Sequence, residues 1–123
     1  NALSGVIPVE TASLTNLTLL ELTNNSMTGP LPTQLGELTK LEYLHLGDND
    51  FTGSIPTEIG SMKSLSCINL SGNYLRGLIP SEIGLMTNLT GIQLEGNDFT
   101  GTIPVEVASL ERLQILTFGG SLT

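Results

Sequence analysis

Apolar residues in this chain recur on two scales. Over short distances, Leu20 and Leu22, or Leu44 and Leu46, alternate with polar neighbours. That is the period of a strand with one buried face. Between these stretches the step lengthens: Ile59, Met62, Leu65 and Ile68 are spaced by three. An even step of three suits 3₁₀ turns better than an α-helix, whose apolar stripe mixes steps of three and four. Over long distances the entire pattern returns every 24 residues, as Ile7-Pro8, Leu31-Pro32, Ile55-Pro56, Ile79-Pro80 and Ile103-Pro104, without insertion or deletion. A strict period of this length predicts stacked, equivalent units rather than a compact non-repeating fold.

Arranged in rows of 24, the chain forms uniform columns. Leu14, Leu38, Met62, Met86 and Leu110 share one, and Leu17, Leu41, Leu65, Leu89 and Leu113 the next. Leu20, Leu44, Ile68, Ile92 and Leu116 form a third, and Leu22, Leu46, Leu70, Leu94 and Phe118 a fourth. A polar column follows, Asn25, Asn49, Asn73 and Asn97, and then Met27, Phe51, Leu75 and Phe99. An amide carries donors and an acceptor together, so a stacked row of Asn can satisfy turn backbone groups that Leu would leave unpaired. The recurrent Gly5, Gly29, Gly53, Gly77 and Gly101 permit positive φ at a bend. The Ile-Pro and Leu-Pro prolines, lacking an amide donor, are expected off the strand ladder. Each unit thus reads as a short strand, a bend and a loose return coil, stable only through its neighbours.

Twelve acidic against four basic residues leave a net charge of −8. This argues against nucleic-acid and anionic-membrane partners, which require clustered Lys and Arg. No apolar run is long enough to span a bilayer, so no membrane insertion by this segment is expected. The single cysteine, Cys67, excludes an internal disulfide framework and a thiolate metal cage.

"LEYLHLGDNDFTGSIPTEIG" (residues 41–60) and "LTGIQLEGNDFTGTIP" (residues 89–104) follow L-x-x-L-x-L-x-x-N-x-L-x-G-x-I-P. This pattern resembles the plant-specific class of leucine-rich repeat and covers the whole chain. Similar proteins include ectodomains of receptor kinases and receptor-like proteins, polygalacturonase-inhibiting proteins, and arrays of diatoms and other algae. The resemblance implies an α/β leucine-rich-repeat solenoid of about five repeats. Such a solenoid is right-handed, with a parallel β-sheet on the concave face, 3₁₀ turns on the convex face and commonly a second short-stranded sheet after the Asn bend. Family members usually carry cysteine-paired caps, and none is present. Asn1 falls in the Asn column and Thr123 two positions past it. The chain 1–123 is therefore expected to be one domain cut from a longer array, with uncapped ends able to self-associate. In the last row, "FGGSLT" places Ser121 where Asn is due, so the column is expected to stop at Asn97.

Function is expected where the strand residues vary. The flanking positions of the buried strand pairs read Leu19, Glu21, Thr23 and Asn24, then Tyr43, His45, Gly47 and Asp48. They continue as Cys67, Asn69, Ser71 and Gly72, as Gly91, Gln93, Glu95 and Gly96, and as Ile115, Thr117 and Gly119. Polar side chains beside Leu19, Tyr43, Cys67 and Ile115 resemble a binding surface. The acidic residues Glu21, Glu42, Asp48 and Glu95 favour a basic protein or peptide ligand. A Glu21–His45–Cys67 line is conceivable as a nucleophilic site, but without an oxyanion array or a pocket the chain is read as non-enzymatic. Asp48, Asp50 and Asp98 do not supply the six or more oxygens of a Ca²⁺ site, so no metal or cofactor is expected. The Glu10, Gln34, Glu58, Glu82 and Glu106 column reads as a solvated outer row, and Arg76 interrupts the Thr28, Thr52 and Thr100 row that might suggest ice binding. Sequons stand at Asn16, Asn24, Asn69 and Asn88; Asn16 and Asn88, outside the strands, are the glycan candidates if the protein is secreted. The reading is a recognition module, extracellular or at the cell surface. Its alternatives are a structural or adhesive scaffold of a cell wall or matrix, and a polygalacturonase-inhibitor-like defence protein.

Overall fold

The computed structural model describes residues 2–119. Each repeat makes two short strands and one return turn. The first set of strands comprises β2 (Leu19–Glu21), β4 (Tyr43–His45), β6 (Cys67–Asn69), β8 (Gly91–Gln93) and β10 (Ile115–Thr117). The second comprises β1 (Ser4–Gly5), β3 (Ser26–Pro30), β5 (Asp50–Gly53), β7 (Tyr74–Gly77) and β9 (Asp98–Phe99). Every pairing is parallel, and each set forms its own five-stranded sheet in chain order. The molecule is a right-handed solenoid, with the first sheet on its concave side.

The register reproduces the sequence columns. Leu20 lies opposite Leu44, Leu44 opposite Ile68, Ile68 opposite Ile92, and Ile92 opposite Leu116. Leu44, Ile68 and Ile92 are fully buried, as are Phe51 and Leu75 beneath the second sheet. Members of the same columns in the outermost coils are more open: Leu14 is 54% exposed where Leu38 is 0%, and Leu116 is 39% exposed where Ile92 is 0%.

The return turns are five-residue 3₁₀ helices: η1 (Val9–Ser13), η2 (Thr33–Glu37), η3 (Thr57–Ser61), η4 (Ser81–Leu85) and η5 (Val105–Ser109). The step of three has a direct cause in their hydrogen bonds. The Ile59 amide donates to the Pro56 carbonyl at 3.1 Å, Met62 to Ile59 at 3.0 Å and Leu65 to Met62 at 3.1 Å. With about three residues per turn, these side chains eclipse one another and face the core. Each helix starts from its repeat's proline, Pro56 at φ −69° and ψ 142° for η3, where no amide donor is required.

Two glycine columns serve different ends. Gly53, at φ +79°, makes the bend after β5, as its equivalents do in the other repeats. Gly60, by contrast, lies where η3 meets η4: a Cβ there would stand 2.9 Å from both the Glu82 carbonyl oxygen and its Cβ. Gly36 and Gly84 repeat that close approach. Neighbouring 3₁₀ helices pack backbone to backbone through this column, which the pattern of apolar residues did not reveal.

The Asn column is a buried hydrogen-bond ladder. Asn73 Nδ2 donates to the Leu46 carbonyl of the preceding coil at 3.0 Å, and to the Leu70 and Ser71 carbonyls of its own coil, each at 3.1 Å. Its Oδ1 accepts the Phe51 amide at 3.0 Å. Asn49 and Asn97 repeat the arrangement, and half-buried Asn25 makes part of it, donating to the Leu22 and Thr23 carbonyls of its own coil and accepting the Leu3 amide. The expectations for Asn1 and Ser121 lie outside the described residues.

Candidate ligand-recognition face

With alternate strand residues committed to the core, β2, β4, β6, β8 and β10 present two rows outward. Leu19, Tyr43, Cys67, Gly91 and Ile115 form the first row, each opposite the next. Glu21, His45, Asn69, Gln93 and Thr117 form the second. The structure thus brings together the residues expected to share this face. Leu19, Tyr43 and Ile115 remain 48%, 42% and 52% exposed. Gly91 leaves a dip in the apolar row, where Cys67 Sγ lies 3.3 Å from the position a Cβ would take.

The polar row is internally braced. Glu21 Oε2 lies 2.9 Å from His45 Nδ1, across one strand spacing. The Thr23 amide donates to Glu21 Oε1 at 2.9 Å. The Thr23 hydroxyl, its backbone amide and His45 together outweigh burial and hold the Glu21 carboxyl below the usual glutamate range. Tyr43 meets the His45 ring edge-on at 6.1 Å. Asn69 Oδ1 accepts both the Ser71 amide at 2.9 Å and its hydroxyl at 2.7 Å. The Thr117 hydroxyl bonds to Glu95. Thr23, Ser71 and Glu95 therefore act as braces at the strand ends as well as surface groups.

Cys67 pairs in register with Tyr43 rather than His45, and burial pushes its thiol pKa up. A protonated thiol diagonal to the imidazole is a poor nucleophile. Among the described residues no cluster of three or more His, Cys, Asp or Glu side chains could hold a metal ion.

Asp48 and Asn24 also shape the backbone at the rim of this face. They stand at φ 53° and 57°, and Gly72 and Gly96 take the same place in later coils at φ 61° and 69°. This column turns the chain from the first strand towards the second sheet. Its signal was legible: Asn, Asp and Gly are the residues that tolerate left-handed backbone. Both side chains remain exposed at the rim of the face.

The sequons at Asn16 and Asn88 lie away from both sheets. Lys40 Nζ donates to Asn16 Oδ1 at 2.6 Å. Asn88 is half-buried: its Nδ2 donates to the Lys63 carbonyl at 2.8 Å, and Arg112 donates to its Oδ1 at 3.0 Å.

Parallel coils stacked one strand spacing apart, stitched by an internal amide ladder and with one sheet face left unpartnered, define a repeat solenoid. The Leucine Rich Repeat family profile matches residues 16–38, 40–62 and 64–86, and the chain belongs to that family. No curated protein matches the sequence significantly. Among solved structures, the chain is similar to the LRR ectodomain of the plant membrane receptor kinase GASSHO1/SCHENGEN3 from Arabidopsis thaliana, in complex with CASPARIAN STRIP INTEGRITY FACTOR 2. Identity there is 32% and the TM-score 0.96, covering 99% of this chain and 15% of that one. The Arabidopsis receptor kinase HAESA, in complex with the peptide hormone IDA and the co-receptor SERK1, gives 32% identity and a TM-score of 0.93 over 98% of this chain and 21% of that chain. A TDR receptor is 39% identical with a TM-score of 0.91, over 94% of this chain and 21% of that one. The chain thus spans about a fifth or less of the length of these receptors.

Proposed function

We propose that this chain is a non-enzymatic recognition module, extracellular or at the cell surface, that binds a peptide or protein through the outward rows of its first sheet. The observation that carries this reading is the contrast between columns. Core positions repeat one chemistry, whereas the outward rows place exposed Leu19, Tyr43 and Ile115 beside a varied polar row of Glu21, His45, Asn69, Gln93 and Thr117. A face of this kind takes apolar anchors and hydrogen-bonding groups together, as peptide and protein interfaces do. The solved complexes of the receptor kinase HAESA with the peptide hormone IDA support the same reading. The acidic members Glu21, Asp48 and Glu95 favour a ligand carrying Lys or Arg.

The test is selection of binders from a random peptide library against the immobilised chain. The selected peptides should be rich in basic and aromatic or aliphatic residues. Their affinity should fall about tenfold or more, roughly 1.4 kcal/mol, on Tyr43→Ala. Peptides that bind a triple Leu19→Ser, Tyr43→Ser, Ile115→Ser chain as tightly as the parent would place recognition elsewhere and overturn the proposal.

A further inference from the structure

A groove of about 660 Å³ lies away from the first sheet. It runs along the flank where the second sheet passes into the 3₁₀ helices, across the third to fifth coils. Leu78, Pro80 and Val105 supply its apolar wall, and Glu82 and Glu106 flank them. Two of these residues are the most exposed large hydrophobic side chains among the described residues. Leu78 shares its column with Val6, Pro30, Ser54 and Thr102, and it is 66% exposed although the fifth coil lies beside it. Val105 shares its column with Val9, Thr33, Thr57 and Ser81, and it is 82% exposed. Apolar groups open to water and facing one groove are the composition of a contact surface.

Charge selects the occupant. Glu58, Glu82 and Glu106 follow one another in successive coils, and no basic residue lines the groove. Three of the chain's four basic side chains are engaged elsewhere: Lys40 with Asn16, Arg112 with Asn88, and Lys63 with the Leu85 carbonyl. The only ion pair among the described residues is Glu21 with His45. Among the described residues, neither Glu82 nor Glu106 forms an ion pair. A second copy, itself at −8, would add repulsion. A segment with an apolar side chain between Lys or Arg residues matches both features. We propose that this flank groove docks such a basic–apolar peptide segment of a partner protein, independently of the sheet face. The apolar side chain packs against Leu78 and Val105, and its cationic neighbours reach Glu82 and Glu106.

The probe is a blocked synthetic peptide, Gly-Lys-Leu-Lys-Gly, titrated into the isotope-labelled chain and followed by amide chemical shifts. Saturable changes confined to residues 78–82 and 102–106 are expected, with none from the Gly-Glu-Leu-Glu-Gly control. Leu78→Ser combined with Val105→Thr, each a residue that the column already carries, should weaken binding about tenfold. Glu82→Gln with Glu106→Gln, which leaves the apolar wall intact, should weaken it several-fold and flatten its salt dependence. Absence of shifts at saturating peptide, shifts centred on residues 43–45 and 67–69, or equal binding of the glutamate control would each overturn the proposal. Because the readout locates the contact, failure here is distinguishable from failure of the sheet face to bind.

Discussion

At the scale of single residues, Asn73 carries more of the fold than any leucine beside it. Asn73→Leu would strip the amide from three carbonyls and from the Phe51 N–H. Unsatisfied buried groups cost about 1–3 kcal/mol apiece. A loss of roughly 3–5 kcal/mol is expected on that basis, measured as a shift in the urea midpoint with little change in slope. Glu21 acts in the opposite regime, at 49% side-chain exposure. Its carboxyl pKa is lowered in the folded state, so its contribution is present above the unfolded glutamate value and is lost as pH falls through the folded one. Glu21→Gln should therefore remove a small part of the acid-side loss of stability, well under about 1 kcal/mol for so exposed a pair. Urea titrations at about pH 7 and about pH 3 would show the difference between wild type and variant shrinking towards acid, and a difference that grew instead would contradict it.

Among elements, the 3₁₀ helices show best what could be read in advance. The even step of three fixed their type because i to i−3 bonding brings every third side chain to the same side. The ladder of Asn49, Asn73 and Asn97 was legible for a similar reason: a polar column amid apolar ones demands partners. The packing of one helix on the next was not legible, because Gly36, Gly60 and Gly84 announce a close approach only once the neighbouring coil is in place. The two glycine columns should respond differently to alanine. Gly60→Ala forces a Cβ against the Glu82 backbone and should cost about 1–3 kcal/mol by overpacking. Gly53→Ala meets only Pro30, at 3.5 Å, and should cost about 1–2 kcal/mol through its left-handed backbone alone. Truncating the Glu82 side chain should not rescue Gly60→Ala, since the carbonyl oxygen remains in the way. The outward rows were legible as a face, from alternation alone. Their bracing was not, because whether Glu21 reaches His45 or Ser71 reaches Asn69 depends on rotamers that a sequence does not specify.

Across the whole molecule, charge and stacking decide behaviour. With −8 spread over 123 residues and one ion pair among the described residues, repulsion opposes the folded state. Added salt screens it, so the Tm should rise by a few degrees between about 10 mM and about 150 mM NaCl; a fall would mean that attractive pairs dominate. Stability is shared between neighbours, so substitutions at the middle coil, around Leu65 and Ile68, should destabilise more than the same changes at half-buried Leu17 and Leu20. The amide ladder carries a further consequence for inheritance. Each rung grips the coil behind it at fixed chain separations, 22 and 27 residues back for Asn73. The ladder is therefore a ruler: one codon gained or lost within a coil changes the separation that the rungs across it must span, whereas duplication of a complete unit leaves all of them aligned. Genes built on such a ruler lengthen by whole modules, and single-codon insertions should survive only where a bend can bulge outward and leave the rungs in place.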